Sequence, residues 1–322
     1  MNTAVTGGTG FIGGPLVRML VDRFDAVRVL VRRPQDDDRI RSMGAEPVRG
    51  DLTVRGGCDE LVQPGDVVVH AAARVDLVGR WPAFRHTTVE GTRELLGSAL
   101  PRNPARFVYV SSAGVYAPES LATVPRADPP SYNLYGRAKR QAEDLVRSKC
   151  ERAGCPWSIV RLGFCYGPGN RALLRHLVPR LERGRLPIIG DGQNRIATCY
   201  VDDAARAIVL AATVPAAVGR IYDVASDETV TQRQFYDATA DALNLPRTRR
   251  RVRRRLAYAL AFVADMAGKV FRFDPPLTRS MVILMGVDQV LNADPIRNEL
   301  GWRAEVDFEE GMRRVAEEHG AG

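Results

Sequence analysis

The chain has 322 residues, with 46 Lys and Arg against 38 Asp and Glu and a formal net charge of +8. That length allows one large core with a smaller lobe, and an apolar content of 45% excludes a disordered chain. Five cysteines without CxxC spacing do not make a disulfide framework and suit reduced thiols, and four histidines without ligand spacing predict no metal site.

The chain enters its first strand, Asn2 to Thr6, almost at once, which predicts no secretory signal peptide and a cytoplasmic location. Thr6-Gly7-Gly8-Thr9-Gly10-Phe11-Ile12-Gly13 follows, and apolar Phe11, Ile12, Leu16, Val17 and Leu20 predict a helix from Phe11 to Phe24. Strand, tight turn and helix make a dinucleotide cradle. Gly7 permits the sharp turn, Gly10 lets the backbone approach a pyrophosphate, and Gly13 lets helix and strand pack closely, with Phe11 and Ile12 opening the helix whose N-terminus faces the phosphates. The spacing is GxxGxxG, one residue off the GxGxxG pattern, and its position after the first strand carries the reading.

The second strand, Val27 to Val31, ends in Arg32-Arg33, where an acid would receive a ribose 2′-hydroxyl. Two guanidinium groups there suit the 2′-phosphate of NADP, with NAD as the alternative. Gly50-Asp51-Leu52 follows a third strand, and Val67 to Ala73 reads as a buried strand whose small Ala71, Ala72 and Ala73 let a cofactor lie against the backbone.

Arg106 to Ser112 is another apolar strand, with Ser112 near its carboxyl end, the edge at which open α/β sheets bind ligands. Tyr135 and Lys139 are four apart on the helix that continues through Gln141, Leu145 and Val146, so they share a face. A phenol of ordinary pKa about 10 is a poor base at neutral pH, but a neighbouring ammonium and an oxidised nicotinamide both favour phenolate. Tyr135 would exchange a proton with a substrate oxygen, Ser112 would orient that oxygen, and Lys139 would also reach the nicotinamide ribose.

Strands alternating with helices through residue 165 predict an α/β fold of Rossmann type, a doubly wound parallel sheet with helices on both faces. The expected division is a dinucleotide-binding domain of residues 1–165, to which 200–225 return, and a smaller C-terminal substrate-binding lobe from 166–199 and 226–322. Residues 247–255 hold seven arginines and no acid, and subtracting these seven from +8 leaves +1 for the rest. The apolar run Leu256 to Ala264, then Met266, Val270 and Phe271, is too short to span a bilayer as a helix of ~20 apolar residues. A basic segment leading into an apolar helix can lie on an anionic membrane surface, so peripheral membrane contact through 247–271 stands beside the reading of a solvated arginine face before a lid helix. The cluster lacks a recognition motif and interleaved stacking aromatics, so no nucleic-acid partner is expected.

Taken together, the glycine turn, Ser112-Ala113-Gly114-Val115-Tyr116, Val89-Glu90-Gly91-Thr92 and Tyr135 with Lys139 resemble an extended short-chain dehydrogenase/reductase. Arg161 to Gly169, Tyr200-Val201-Asp202-Asp203 and Leu300-Gly301-Trp302 extend the likeness nearly end to end. The chain is most similar to the 3β-hydroxysteroid and sterol dehydrogenase branch, through Gly190 to Arg195 leading into Tyr200, and through Pro275-Pro276-Leu277-Thr278-Arg279. The resemblance implies an NAD(P)-dependent enzyme that interconverts a secondary alcohol and a ketone on a lipophilic small molecule, steroid-like or long-chain β-hydroxy/β-keto. It also implies cofactor contacts from Leu162 and Phe164, and a homodimer by analogy. The chain departs from the family pattern at Thr88, where Asn is usual, at Leu162, where Pro is usual, and at Ala138, where Ser is usual.

The alternative function is a nucleotide-sugar epimerase, reductase or dehydratase using the same Ser, Tyr and Lys. Such relatives commonly place an arginine four residues before the position of Tyr200 to hold the sugar-nucleotide phosphates, and here that residue is Ile196, with Arg195 beside it. A cofactor-sensing protein without turnover is the third reading, but such a protein would be expected to have lost Tyr135 or Lys139.

Overall fold

The computed structural model describes residues 1–76, 78–116 and 129–320. In chain order it runs β1 (Asn2–Thr6), α1 (Gly13–Val21), β2 (Ala26–Val31), α2 (Asp37–Ser42), β3 (Glu46–Arg49) and β4 (Val67–His70). There follow α3 (Trp81–Phe84), a π-helical stretch over Arg85–Glu90, α4 (Gly91–Ala99), β5 (Arg106–Ser112), α5 (Leu134–Ala153) and β6 (Trp157–Leu162). The second half holds β7 (Phe164–Tyr166), α6 (Arg171–Glu182), β8 (Ile188–Ile189), β9 (Arg195–Ile196), β10 (Thr198–Tyr200) and α7 (Val201–Thr213). It continues with β11 (Arg220–Val224), β12 (Val230–Thr231), α8 (Gln232–Ala242), β13 (Arg251–Val252) and α9 (Arg254–Phe271). The described chain ends with α10 (Arg279–Gly286), α11 (Asp294–Leu300) and α12 (Phe308–Gly320).

Seven strands form one parallel sheet in the order β11-β6-β5-β4-β1-β2-β3. The strands read as unbroken apolar runs because both faces are covered. Alternate residues go to opposite sides: Val5, Val69, Val108 and Val110 enter the core beneath α1 and α7, while Ala4, Val68, Phe107 and Tyr109 pack with Leu95, Leu96, Ala142 and Val146 of α4 and α5. The fold is the expected doubly wound Rossmann-type architecture. β11 joins the sheet by pairing with β6, Val224 opposite Leu162. A separate core formed by Tyr166, Leu177, Ile188, Ile196, Phe235 and Met312 holds α6, α8 and α12 together outside the sheet.

Chain order reverses between β1 and β4, and there the carboxyl ends of the strands diverge and leave a crevice. Two boundaries at this crevice differ from the sequence expectation. The first helix begins at Gly13, with Ile12 as its cap, so Phe11 and Ile12 present backbone to the crevice. The fourth strand stops at His70, because Ala71 leaves the ladder after donating its N–H to the Thr6 carbonyl at 3.1 Å.

Candidate active site

A cavity of about 1130 Å³ lies along the carboxyl edge of the sheet. Ligand pockets commonly span ~300–1,000 Å³, so this one has room for a dinucleotide and a second molecule together. Every residue assigned to the cofactor from the sequence lines it: Gly7, Gly10, Phe11, Ile12, Gly13, Arg32, Arg33, Asp51, Leu52, Ala71, Ala72, Ala73, Tyr135, Lys139, Leu162 and Phe164. Ser112 lines it as well.

The glycine turn is built by close approach. Gly7 has φ +79°, and a Cβ on it would stand 2.6 Å from the Ala72 nitrogen, so no other residue fits between β1 and β4 here. A Cβ on Gly13 would stand 2.7 Å from Gly8 Cα, which lets α1 start directly above the strand end. Gly10 closes the turn by donating its N–H to the Gly7 carbonyl at 3.0 Å. The N-terminus of α1 therefore points at the crevice with its first N–H groups, the arrangement that holds phosphate. The cradle, the helix end and the three alanines fit a dinucleotide.

Arg32 and Arg33 reach the cavity from the end of β2, but they are not equivalent. Arg33 is held by Asp36, 3.0 Å from its Nε, whereas Arg32 has no ion-pair partner among the described residues. Asp36 also lines the cavity, so an acid stands near the arginines even though none occupies the strand end itself. Burial pushes the Asp51 carboxyl up, but hydrogen bonds from Thr53 and the charge of Arg32 outweigh it and hold it below the usual range.

At the catalytic end, β5 and α5 are joined by an interlock that the motif residues alone do not reveal. Asn133 caps α5, accepting from the Gly136 N–H at 2.9 Å, and its amide donates to the Gly114 carbonyl at 2.9 Å. Ser112 accepts from the Gly114 N–H at 3.1 Å, which leaves its own O–H to donate. Gly114 and Gly136 touch backbone to backbone: a Cβ on Gly136 would stand 2.8 Å from the Gly114 carbonyl carbon. This clamp sets the Ser112 hydroxyl near Tyr135, where it favours the ionised phenol. An Asn directly before an amphipathic helix is the sequence signal for such a cap, and it was not read as part of the site.

The electrostatics of the pair differ from the phenolate expected from the spacing. Burial raises Tyr135 to about 12, with the Ser112 hydroxyl only partly opposing it, so the protein alone holds a neutral phenol. Lys139 is 3% exposed and donates to the Val110 carbonyl at 2.7 Å, lying against the Tyr109 ring. Burial lowers its ammonium to about 7, with Glu143 opposing. Below them, His70 bridges Thr6 and Thr92 at 2.6 and 2.9 Å and is kept neutral, driven to about 3 by burial and by Lys139. Thr88 is buried in the π-helical stretch with its hydroxyl engaged by the Arg74 N–H at 3.2 Å.

Other expected motif residues serve the framework. Arg161 forms a bidentate pair with buried Glu143 and donates to the Tyr116 hydroxyl, which in turn donates to Asp223, tying β6, α5 and β11 together. Asp203 accepts the N–H groups of Glu305 and Val306, and its backbone carbonyl accepts from Trp302, so the Tyr-Val-Asp-Asp motif fastens the C-terminal segment to α7. Ile196 is buried in the lobe core and Arg195 pairs with Asp288, and neither lines the cavity. Among the described residues no group of three His, Cys, Asp or Glu side chains could hold a metal ion. No helix among them is long and apolar enough to cross a membrane.

The NAD dependent epimerase/dehydratase family model matches residues 3–225. The chain is 29% identical to a 2-alkyl-3-oxoalkanoate reductase of Stenotrophomonas maltophilia, over 98% of each chain. It is 26% identical to the 3beta-hydroxysteroid-dehydrogenase/decarboxylase isoform 2 of Arabidopsis thaliana, over 97% of this chain and 60% of the other. In fold it is similar to a UDP-glucuronic acid 4-epimerase from Bacillus cereus, solved in complex with UDP-glucuronic acid and NAD, with a TM-score of 0.77 at 20% identity over 100% of this chain and 99% of that one.

Proposed function

This chain belongs to the NAD-dependent epimerase/dehydratase family, and we propose that within it the protein is an oxidoreductase interconverting a secondary alcohol and a ketone on a hydrophobic substrate, a long-chain β-hydroxy/β-keto or steroid-like compound. The observation that carries the reading is the wall of the cavity outside the cofactor motifs. Val78, Phe84, Leu134, Phe273, Ile283 and Leu284 line it together with charged and polar residues such as Arg80, Asp265, Lys269 and Arg279, and apolar surface predominates over the cavity as a whole. Such a wall takes a hydrocarbon chain, with the polar end of the substrate at Ser112 and Tyr135. The likeness to a 2-alkyl-3-oxoalkanoate reductase over the whole chain supports the β-keto form of the substrate.

When bound, the nicotinamide supplies or accepts the hydride. Tyr135, protonated at neutral pH, donates its phenolic proton to the carbonyl oxygen as negative charge develops there, and Ser112 donates a second hydrogen bond to the same oxygen. Lys139, one helical turn from Tyr135, donates to the Val110 carbonyl, and an ammonium lowered to about 7 can hold or release a proton near neutral pH. Exposed Arg32, in no ion pair among the described residues although its charge reaches Asp51, supports NADP as the preferred cofactor, with Arg33 available once released from Asp36.

A nucleotide-sugar reading has one specific observation in its favour: exposed Arg80, Lys269 and Arg272 also line the cavity and could meet a diphosphate. The test is a panel of an alkyl-branched 3-oxoalkanoate, a 3-ketosteroid and UDP-glucose, each with NADPH or NADH, followed by cofactor absorbance and mass spectrometry of products. Reduction of an oxo compound with NADPH is expected. Conversion of the UDP-sugar alone would reject the proposal.

A further inference from the structure

The outer face of α9 is an apolar surface left exposed among the described residues. Along its 18 residues, Leu256, Leu260, Val263, Met266, Val270 and Phe271 are exposed, Val270 by 68% and Phe271 by 76%, while Ala257, Ala261 and Gly268 on the opposite side are buried. From Leu256 to Val270 the exposed positions fall at three- and four-residue steps, with Phe271 beside the last, so they form a single stripe on a helix about 27 Å long. Residues 256–273 supply nine of the fourteen large apolar side chains that are exposed among the described residues. Scattered apolar residues need no explanation, but a concentration of this kind marks a contact surface.

The charges beside it identify the partner. Arg249, Arg250, Arg251, Arg253, Arg254 and Arg255 precede and open the helix, all exposed and none in an ion pair among the described residues. Only Arg247 of the basic run is neutralised, by Asp241. Elsewhere some surface arginines are matched, as Arg85 and Arg93 are by Glu90 or Arg313 and Arg314 by Glu310, and those without an ion pair among the described residues, such as Arg18, Arg55 and Arg152, are scattered along the chain rather than gathered in a run. An uncompensated cationic edge on a lengthwise apolar stripe complements the anionic headgroups and acyl boundary of a bilayer, whereas a second copy of this chain would bring the same positive charge.

The other side of the same helix faces the active site. Asp265, Gly268 and Lys269 line the large cavity, as do Arg272 and Phe273 just past the helix end. We propose that α9 is a docking surface for an anionic lipid bilayer, lying flat in the interface with the mouth of the cavity beside the acyl chains. The docking goes beyond the substrate reading and does not depend on it, although a membrane is where a lipophilic substrate would be drawn from.

The experiment is sedimentation of the full chain with phosphatidylcholine vesicles, with and without phosphatidylglycerol, at low and high salt and with no substrate present. Binding is expected only with phosphatidylglycerol and is expected to fall at high salt, where charges are screened within a few ångströms. Val263→Asp with Val270→Asp should abolish it, and each arginine replaced by glutamine between 249 and 255 should weaken it about fivefold. Thermal unfolding and dinucleotide binding should be unchanged in all variants, since the changed side chains are exposed. Failure of the wild-type protein to pellet with anionic vesicles at low salt overturns the proposal. So does a double aspartate variant that pellets normally, or one that instead halves the particle mass in solution, which would assign the face to a second copy.

Discussion

Replacing Gly136 by Ala tests whether the clamp between β5 and α5 sets the catalytic geometry. On helix propensity alone the change should stabilise α5 by ~1 kcal/mol. The structure reverses the sign. The new methyl would stand 2.8 Å from the Gly114 carbonyl carbon and nearer still to its oxygen, whereas carbon pairs pack at ~3.5–4.0 Å, so loop and helix must part by roughly 1 Å. Overpacking of this kind costs ~1–3 kcal/mol, and loss of the bond from Asn133 to the Gly114 carbonyl about 1 more. The net expectation is a destabilisation of ~1–3 kcal/mol, read as a lower urea midpoint at unchanged slope. The larger effect is on rate. Ser112 moves with Gly114 and Tyr135 with Gly136, and a displacement of about 1 Å between positioned groups costs on the order of 100-fold in kcat. Dinucleotide affinity, measured by titration, should hold because the glycine turn lies on other strands. A variant with wild-type midpoint and kcat would refute the clamp.

Tyr135→Phe should retain dinucleotide binding and lose turnover to at most a few per cent of wild type, since only the acid/base oxygen is removed; substantial residual kcat in steady-state assays would end its assignment. Arg32→Ala should weaken NADP much more than NAD, by ~1–3 kcal/mol, and Arg33→Ala should do less because Asp36 already holds it; equal binding of both dinucleotides to the wild-type protein would remove the basis for NADP. Lys139→Met should slow turnover yet change stability in a pH-dependent way. Folding lowers Lys139 from its ordinary 10.5 to about 7, so the unfolded chain binds the extra proton between these values and wild-type stability gains from rising pH across that window. Below about pH 7 the folded protein bears the full cost of a buried charge, and there the Met variant should melt higher than wild type; urea midpoints that differ by the same amount at pH 6 and pH 9 would contradict it.

How much of this was legible beforehand depends on the range of each interaction. β1, Asn2–Thr6, and β5, Arg106–Ser112, were read to the residue, because a doubly covered strand is a short apolar run whose ends are marked by glycine, serine or small side chains. The glycine turn and the four-residue spacing of Tyr135 and Lys139 were equally plain, since each depends on neighbours within one turn of chain. Strands alternating with helices made the doubly wound parallel sheet legible, while the order of its strands came from the structure. The sequence alone therefore determined the fold class and the motif residues that line the crevice.

What it could not determine was settled by contacts between segments far apart in the chain. Gly136 looks like an indifferent helix residue until Gly114 is seen against it, and Asn133 becomes part of the site only because its amide spans both elements. The protonation of Tyr135 and Lys139 depends on burial, which a four-residue spacing cannot report, so the local argument for phenolate gave way to a desolvated phenol and a lowered ammonium. Arg32 and Arg33 are adjacent and chemically identical, yet one reaches the cavity free and the other is held by Asp36, because the chain turns at Pro34 into a short helical turn. The run from Leu256 reads as an apolar helix, but only packing revealed that its small residues face inward and its large ones face out. Local pattern reports what a segment can do; desolvation and partner choice belong to the assembled fold, because they are set by atoms tens of residues away.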